Sequence, residues 1–97
     1  MSPIKNESTE KLFRAILNLS TLEECYEFFD DLCTIKEVLD MSQRFETAIN
    51  LLEGESYQKI SAEIGVSTAT IGRVAKCLNY GSGGYEKAIA GLEDSDE

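Results

Sequence analysis

The stretch Ser56–Leu78, SYQKISAEIGVSTATIGRVAKCL, leaves this chain few ways to fold. Ile60 and Ile64 lie one helical turn apart, Gly65 follows them, and Ser67 stands as a cap ahead of a second apolar stripe at Ile71, Val74, Ala75 and Leu78. Two short amphipathic helices around a tight turn containing glycine make a helix-turn-helix. The usual work of that unit is to lay its second helix in the major groove of DNA. With Ile71, Val74 and Leu78 turned onto the first helix, the outer face holds Thr68, Ala69, Thr70, Gly72, Arg73 and Lys76. Small polar residues at a helix start allow close approach to base edges, and Thr and Ala methyl groups can touch a thymine methyl. Ser67 caps this helix and is expected, with them, to contact DNA. Gln58 and Lys59 open the first helix, where amides and side chains together suit a phosphate. Gly72 costs about 1 kcal/mol in a helix interior relative to Ala, a cost that close backbone approach would explain.

Charge sharpens this reading. The 97 residues carry a net −9, awkward for a nucleic-acid binder, but the distribution is uneven. Residues 1–55 hold 12 acids and 5 bases, and residues 81–97 sum to −4. Residues 56–80 set Lys59, Arg73 and Lys76 against Glu63 alone, for +2. The helix-turn-helix is the positive segment of an acidic chain, as a single phosphate-facing surface requires. So small an excess implies modest electrostatic affinity.

Ahead of that unit the pattern is helical throughout. Residues 1–7 contain the sole proline and read as a flexible arm. A helix from Ser8 carries Leu12, Phe13, Ile16 and Leu17 on one face and ends near Ser20. Thr21–Glu24 is a capping box opening a helix with Leu22, Cys25, Tyr26, Phe28, Phe29 and Leu32. These apolar residues cover more than half its circumference, so it calls for burial on more than one face, and a partner subunit is the natural second cover. Thr34–Glu37 is another capping box, ahead of a long helix from Ile35 to about Glu53 that Gly54 closes. After Leu78 the run Asn-Tyr-Gly-Ser-Gly-Gly reads as turn, Tyr85–Leu92 as a last helix and 93–97 as a disordered acidic tail. The expectation is all-α: six helices, one domain over 8–92, no repeat and no period-two strand.

Several functions lose their chemistry here. There is no His, hence neither the commonest general base nor the commonest metal ligand. Cys25, Cys33 and Cys77 form no C-x-x-C pair and read as buried reduced thiols. The neighbouring carboxylates Glu23/Glu24 and Asp30/Asp31 read as solvated helix faces, so no catalytic constellation and no metal set converges. No apolar run reaches the roughly 20 residues that span a bilayer, and the N-terminus lacks a signal-peptide core, which makes the expected location cytoplasmic.

The order of these pieces resembles the Trp repressor superfamily, in particular its short Trp-repressor-like members of unassigned ligand. The resemblance runs from about Leu32 to Leu78 and rests on LCT before the long helix, MSQRFETAINLLEGE through it, and ATIGR in the second helix of the motif. It implies an intertwined homodimer whose N-terminal helices interlock. It also implies a small-molecule corepressor pocket in which Arg44 and Arg73 would sandwich a ring, with Thr34 at its edge. Gln58, Lys59, Thr68, Ala69 and Thr70 match positions that approach DNA in the family. Val74 stands where the family pocket has a glycine, and its branched side chain argues against tryptophan as the ligand. Gly72 replaces a threonine that contacts DNA, and the turn between the two helices looks one residue shorter.

The functional expectation is a sequence-specific regulator, a repressor in its family's manner, binding double-stranded DNA as a homodimer on a near-palindromic operator. An all-helical protein-interaction module that has lost DNA binding is the alternative, and the −9 charge is its support.

Overall fold

A computed structural model describes residues 3–95. It contains α1 (Glu7–Leu17), α2 (Leu22–Leu32), α3 (Ile35–Leu52), α4 (Tyr57–Ile64), α5 (Thr68–Tyr80) and α6 (Gly84–Ser95), with no strand among the described residues. Side chains ahead of the first five helices satisfy amides that the helices leave free. Asn6 accepts from the Thr9 amide, Thr21 from that of Glu24, Ser56 from that of Lys59 and Ser67 from that of Thr70. Both capping boxes form as the sequence predicts. At the second, the Glu37 amide donates to Thr34 Oγ1 at 3.1 Å while the Thr34 amide donates to Glu37 Oε1 at 2.8 Å.

The helix ends depart from expectation in instructive ways. Asn6 is the cap of α1, so Glu7 belongs to the helix and not to the arm. That helix stops at Leu17, short of Ser20. α5 absorbs Asn79 and Tyr80 from the expected turn and stops at Gly81. α6 continues through Ser95, so the acidic run from Glu93 begins inside a helix; Asp96 and Glu97 of the expected tail lie outside the described residues.

The chain divides into two units, Met1–Val38 and Leu39–Glu97. In the first, neither α1 nor α2 has a buried residue. Phe13, Leu17, Leu22, Tyr26, Leu32 and Ile35 are all exposed, Leu17 by 82% and Ile35 by 79%. Both helices therefore leave large apolar side chains uncovered within this chain.

The second unit has its own core in two clusters. Ala48, Val74 and Ile89 form one, with Phe45, Ile49, Leu51, Leu78 and Tyr85 packed against it. Ile60, Val66 and Ile71 form the other, with Leu51 and Ile64 against it. Leu51 touches both. Thr47, also fully buried, donates its hydroxyl to the Gln43 carbonyl at 2.7 Å, so its burial leaves no orphaned polar group. Of the three cysteines, Cys25 and Cys33 are half-buried and Cys77 is exposed, which corrects the expectation of buried thiols. Cys77 sits three residues after Val74 on α5, and the core takes the Val74–Leu78 edge of that helix instead.

This packing makes two effects measurable. Ile71→Ala empties a fully buried site and lowers unfolding free energy by about 2–5 kcal/mol, read from urea unfolding followed by helical circular dichroism. The second concerns pH. Hydrogen bonds from the Thr34 amide, and then from its hydroxyl, hold the Glu37 carboxyl below its ordinary value of 4.5. A depressed folded pKa means that the unfolded chain takes up the proton first. The cap's contribution is therefore complete above the ordinary value and drains away as pH falls through the lower folded one. Wild type should lose more Tm than Glu37→Gln between about pH 6 and about pH 3, and equal losses would remove this role from Glu37.

Candidate nucleic-acid interface

The placing of α5 begins with the turn before it. Gly65, at φ +86°, takes the left-handed conformation that other residues adopt only with strain, and its amide donates to the Ser61 carbonyl at 2.9 Å. Ser61 Oγ then reaches across the turn and donates to the Val66 carbonyl at 2.7 Å. Val66 is buried beneath, and Ser67 accepts the Thr70 amide at 3.1 Å. Gly65, Val66 and Ser67 are thus each held by a backbone conformation, a burial or a cap. α5 starts from a fixed point.

From that point its faces separate. Ile71 and Val74 are buried and Leu78 is half-buried against the core. Thr68, Ala69, Arg73 and Lys76 are exposed on the other side. Among the described residues neither Arg73 nor Lys76 has an ion pair, so both charges face outward uncompensated. Thr70 is half-buried, and its hydroxyl oxygen accepts from Ser67 Oγ at 3.1 Å, which ties it to the cap. Gly72 is half-buried, yet a Cβ built there would meet nothing within 4 Å. Among the described residues nothing requires a glycine at that position.

The start of α4 is different. Gln58 is exposed beside the cap, but Lys59 is engaged: its Nζ lies 2.8 Å from Glu55 Oε2. The hydrogen bond and charge of Glu55, and then the charges of Glu63 and Glu53, hold the Lys59 ammonium above its ordinary range. Glu55 is itself anchored. Its amide donates to the Asn50 carbonyl and that of Gly54 to the Leu51 carbonyl, both at 3.0 Å, with Gly54 at φ +87°. This is the paired closure of a Schellman motif.

The residues expected to form a corepressor pocket fall in both units. Thr34 belongs to the first, where its hydroxyl and amide are committed to Glu37. Arg44 is exposed on α3, one turn before Ala48, and makes no ion pair among the described residues. Arg73 adjoins Val74, which is 2% exposed and shares a cluster with Ala48 and Ile89. The valine that replaces a pocket glycine is a core residue in this chain. A separate cleft of about 410 Å³ opens between α5 and α6, lined by Phe45, Cys77, the glycine-rich loop 81–83 and Gly84, Tyr85 and Ala88 at the start of α6. Among the described residues no His, Cys, Asp and Glu are grouped to hold a metal ion, and no helix is long and apolar enough to cross a membrane.

Three further residues of this region, Glu55, Tyr57 and Ser61, lie beyond the expected set. Glu55 was legible in principle, because an acid four residues before a lysine is a known pairing. Tyr57, 42% exposed beside Gln58, carries a hydroxyl suited to phosphate, and its place as the first helical residue after the cap was the available signal. Ser61 gave none, since its bond to Val66 exists only once the turn is closed.

Comparison with known proteins agrees with this architecture. The family model described as Trp repressor protein matches residues 7–93. The Bacillus subtilis protein YerC, described as uncharacterized, is 50% identical over 93 residues, which cover 96% of this chain and 89% of that one. The crystal structure of a TrpR-like protein from Eubacterium eligens is 49% identical, with a TM-score of 0.89 over 93% of each chain. A putative Trp repressor from Staphylococcus aureus is 41% identical, again with a TM-score of 0.89, over 93% of this chain and 90% of that one. With the family model spanning nearly all of its helices, this chain belongs to the Trp repressor family, a family of regulators and not of enzymes.

Proposed function

We propose that this protein is a DNA-binding transcriptional repressor that works as a homodimer. In this reading α5 enters the major groove, Thr68 and Ala69 meet base edges with Thr70 and Arg73 beside them, and Gln58, Lys59 and Lys76 position the protein on phosphates. Two such heads related by a two-fold axis suit half-sites about 34 Å apart on a near-palindromic operator. The observation that carries the reading is the outer face of α5, small and exposed at its start, with two uncompensated cations and a glycine that the chain itself does not need.

The homodimer draws support from the first unit, where Leu17, Leu22 and Tyr26 stand exposed on helices without a buried residue and Ile35 is exposed at the start of α3. A second copy burying its own equivalents would remove that surface from water, at roughly 25 cal/mol per Å² of apolar area. A small-molecule corepressor held by Arg44 and Arg73, with Thr34 at its edge, would act by binding one arrangement of the two heads better than another. Val74, filled into the core, argues that such a ligand is not tryptophan.

Gly72→Ala tests the DNA reading by moving two measurements in opposite directions. In a helix interior with open space it raises stability by about 0.4–1 kcal/mol, while the added methyl lowers affinity for operator fragments selected from genomic DNA. Affinity that holds steady while stability rises would leave this face without a DNA role. Leu22→Glu should shift the protein from dimer towards monomer in sedimentation equilibrium; an unchanged dimer would place the interface elsewhere. If the purified protein binds no genomic fragment at low salt, the protein-interaction reading, which the −9 charge favours, takes over.

A further inference from the structure

Lys59 is one of the three cations in the positive segment, yet it is the one that already has a partner. Its ammonium rests 2.8 Å from Glu55, whereas Arg73 and Lys76 carry no ion pair among the described residues. An exposed pair of this kind is ordinarily weak, because two long side chains must be immobilised to form it. Here one of the two is held in place beforehand. The Schellman closure of α3 fixes the backbone of Glu55 through its bond to Asn50, and the carboxylate side chain is only 29% exposed. Lys59 is fixed from the other side, since its amide is bonded to the cap, Ser56. Glu63 and Glu53 add their charges to the same ammonium.

Resting on the DNA-binding reading, we propose that Glu55 is a built-in competitor for DNA phosphate, holding Lys59 until a phosphate displaces it. A phosphate approaching α4 meets a lysine whose charge is already neutralised by a carboxylate fixed beside it. Binding then exchanges one anion for another and releases fewer counterions than a free lysine would. Phosphates met in a poor register gain too little to make the exchange, and those presented in register beside Gln58 and the start of α4 make it. Glu55 thereby lowers affinity for random DNA more than affinity for the operator, and the weak positive charge of the segment becomes a specificity device.

Fluorescence anisotropy with a labelled mixed-sequence duplex across a potassium chloride series tests this on the full-length protein. Four variants accompany the wild type: Glu55→Gln, Lys59→Ala, the double variant, and Glu86→Gln as a charge-matched control on α6. Glu55→Gln should tighten binding about 3- to 10-fold at low salt, with two heads each contributing. The fall of log K with log salt should steepen by about one unit per lysine released. The gain should vanish in the double variant and be at most half as large in Glu86→Gln. Melting curves should be unchanged in Glu55→Gln, because the bonds that fix this residue come from its backbone. Wild type that binds while Glu55→Gln binds no better overturns this proposal alone, as does a gain matched by Glu86→Gln or kept in the Lys59→Ala background. Failure of every variant to bind any duplex overturns the DNA reading with it.

Discussion

Leu51 packs against both apolar clusters of the second unit, and much of the structure depends on that shared contact. On one side Ile71 is buried with Ile60 and Val66, and on the other Val74 is buried with Ala48 and Ile89. Ile71 and Val74 are one turn apart on α5, so the helix is gripped by two clusters that meet at a single side chain of α3. A helix gripped at one turn can still roll. Gripped at two, it keeps a defined outer face, and Thr68, Ala69, Arg73 and Lys76 stay exposed together. Close packing is what makes this a constraint and not a preference, since interiors have little room to accommodate a rolled helix.

The turn between α4 and α5 carries the same constraint to the start of the helix. Gly65 reverses the chain, Ser61 ties its own helix to Val66 across the reversal, and Ser67 caps α5. Val66 is then buried in the cluster that contains Ile60 and Ile71. Local hydrogen bonding and the nonlocal burial of Val66 thus act on the same three-residue turn, which is the agreement between levels that specifies one structure. Electrostatics works on a looser scale. In a chain of net −9, the position of a few charges matters more than their sum, and the capture of Lys59 by Glu55 removes one cation from an excess of two.

The two units differ in how complete they are. The second encloses a core of its own, including a threonine whose hydroxyl is satisfied along its own helix. The first has well-capped helices and no buried residue among those described. Capping bonds define where a helix starts, but they do not remove apolar surface from water. Most helical stability in proteins comes from burying an amphipathic face, so α1 and α2 have their local signals in place and their main source of stability uncovered.

The division between sequence and tertiary structure falls along the same line. Six helices, the caps at Thr21, Thr34, Ser56 and Ser67, the helix-closing Gly54, the turn at Gly65, and the apolar faces of α4 and α5 were all readable from the chain, because each depends on residues within a turn or two. The order of the motifs was enough to point to the Trp repressor family, which the match over residues 7–93 establishes. What the chain did not disclose depends on which faces meet. Cys77 was read as buried and is exposed, because the core takes Val74 and Leu78 from α5 instead. Val74 was legible as a bulky replacement for a pocket glycine, but only the packing shows it as core. Lys59 reads as a free cation until the closure of α3 brings Glu55 beside it, and only the open space around Gly72 shows that no packing neighbour among the described residues calls for that glycine. Helix starts are set by hydrogen bonds a few residues long. Burial and pairing are set by three-dimensional neighbours, and only the folded chain decides those.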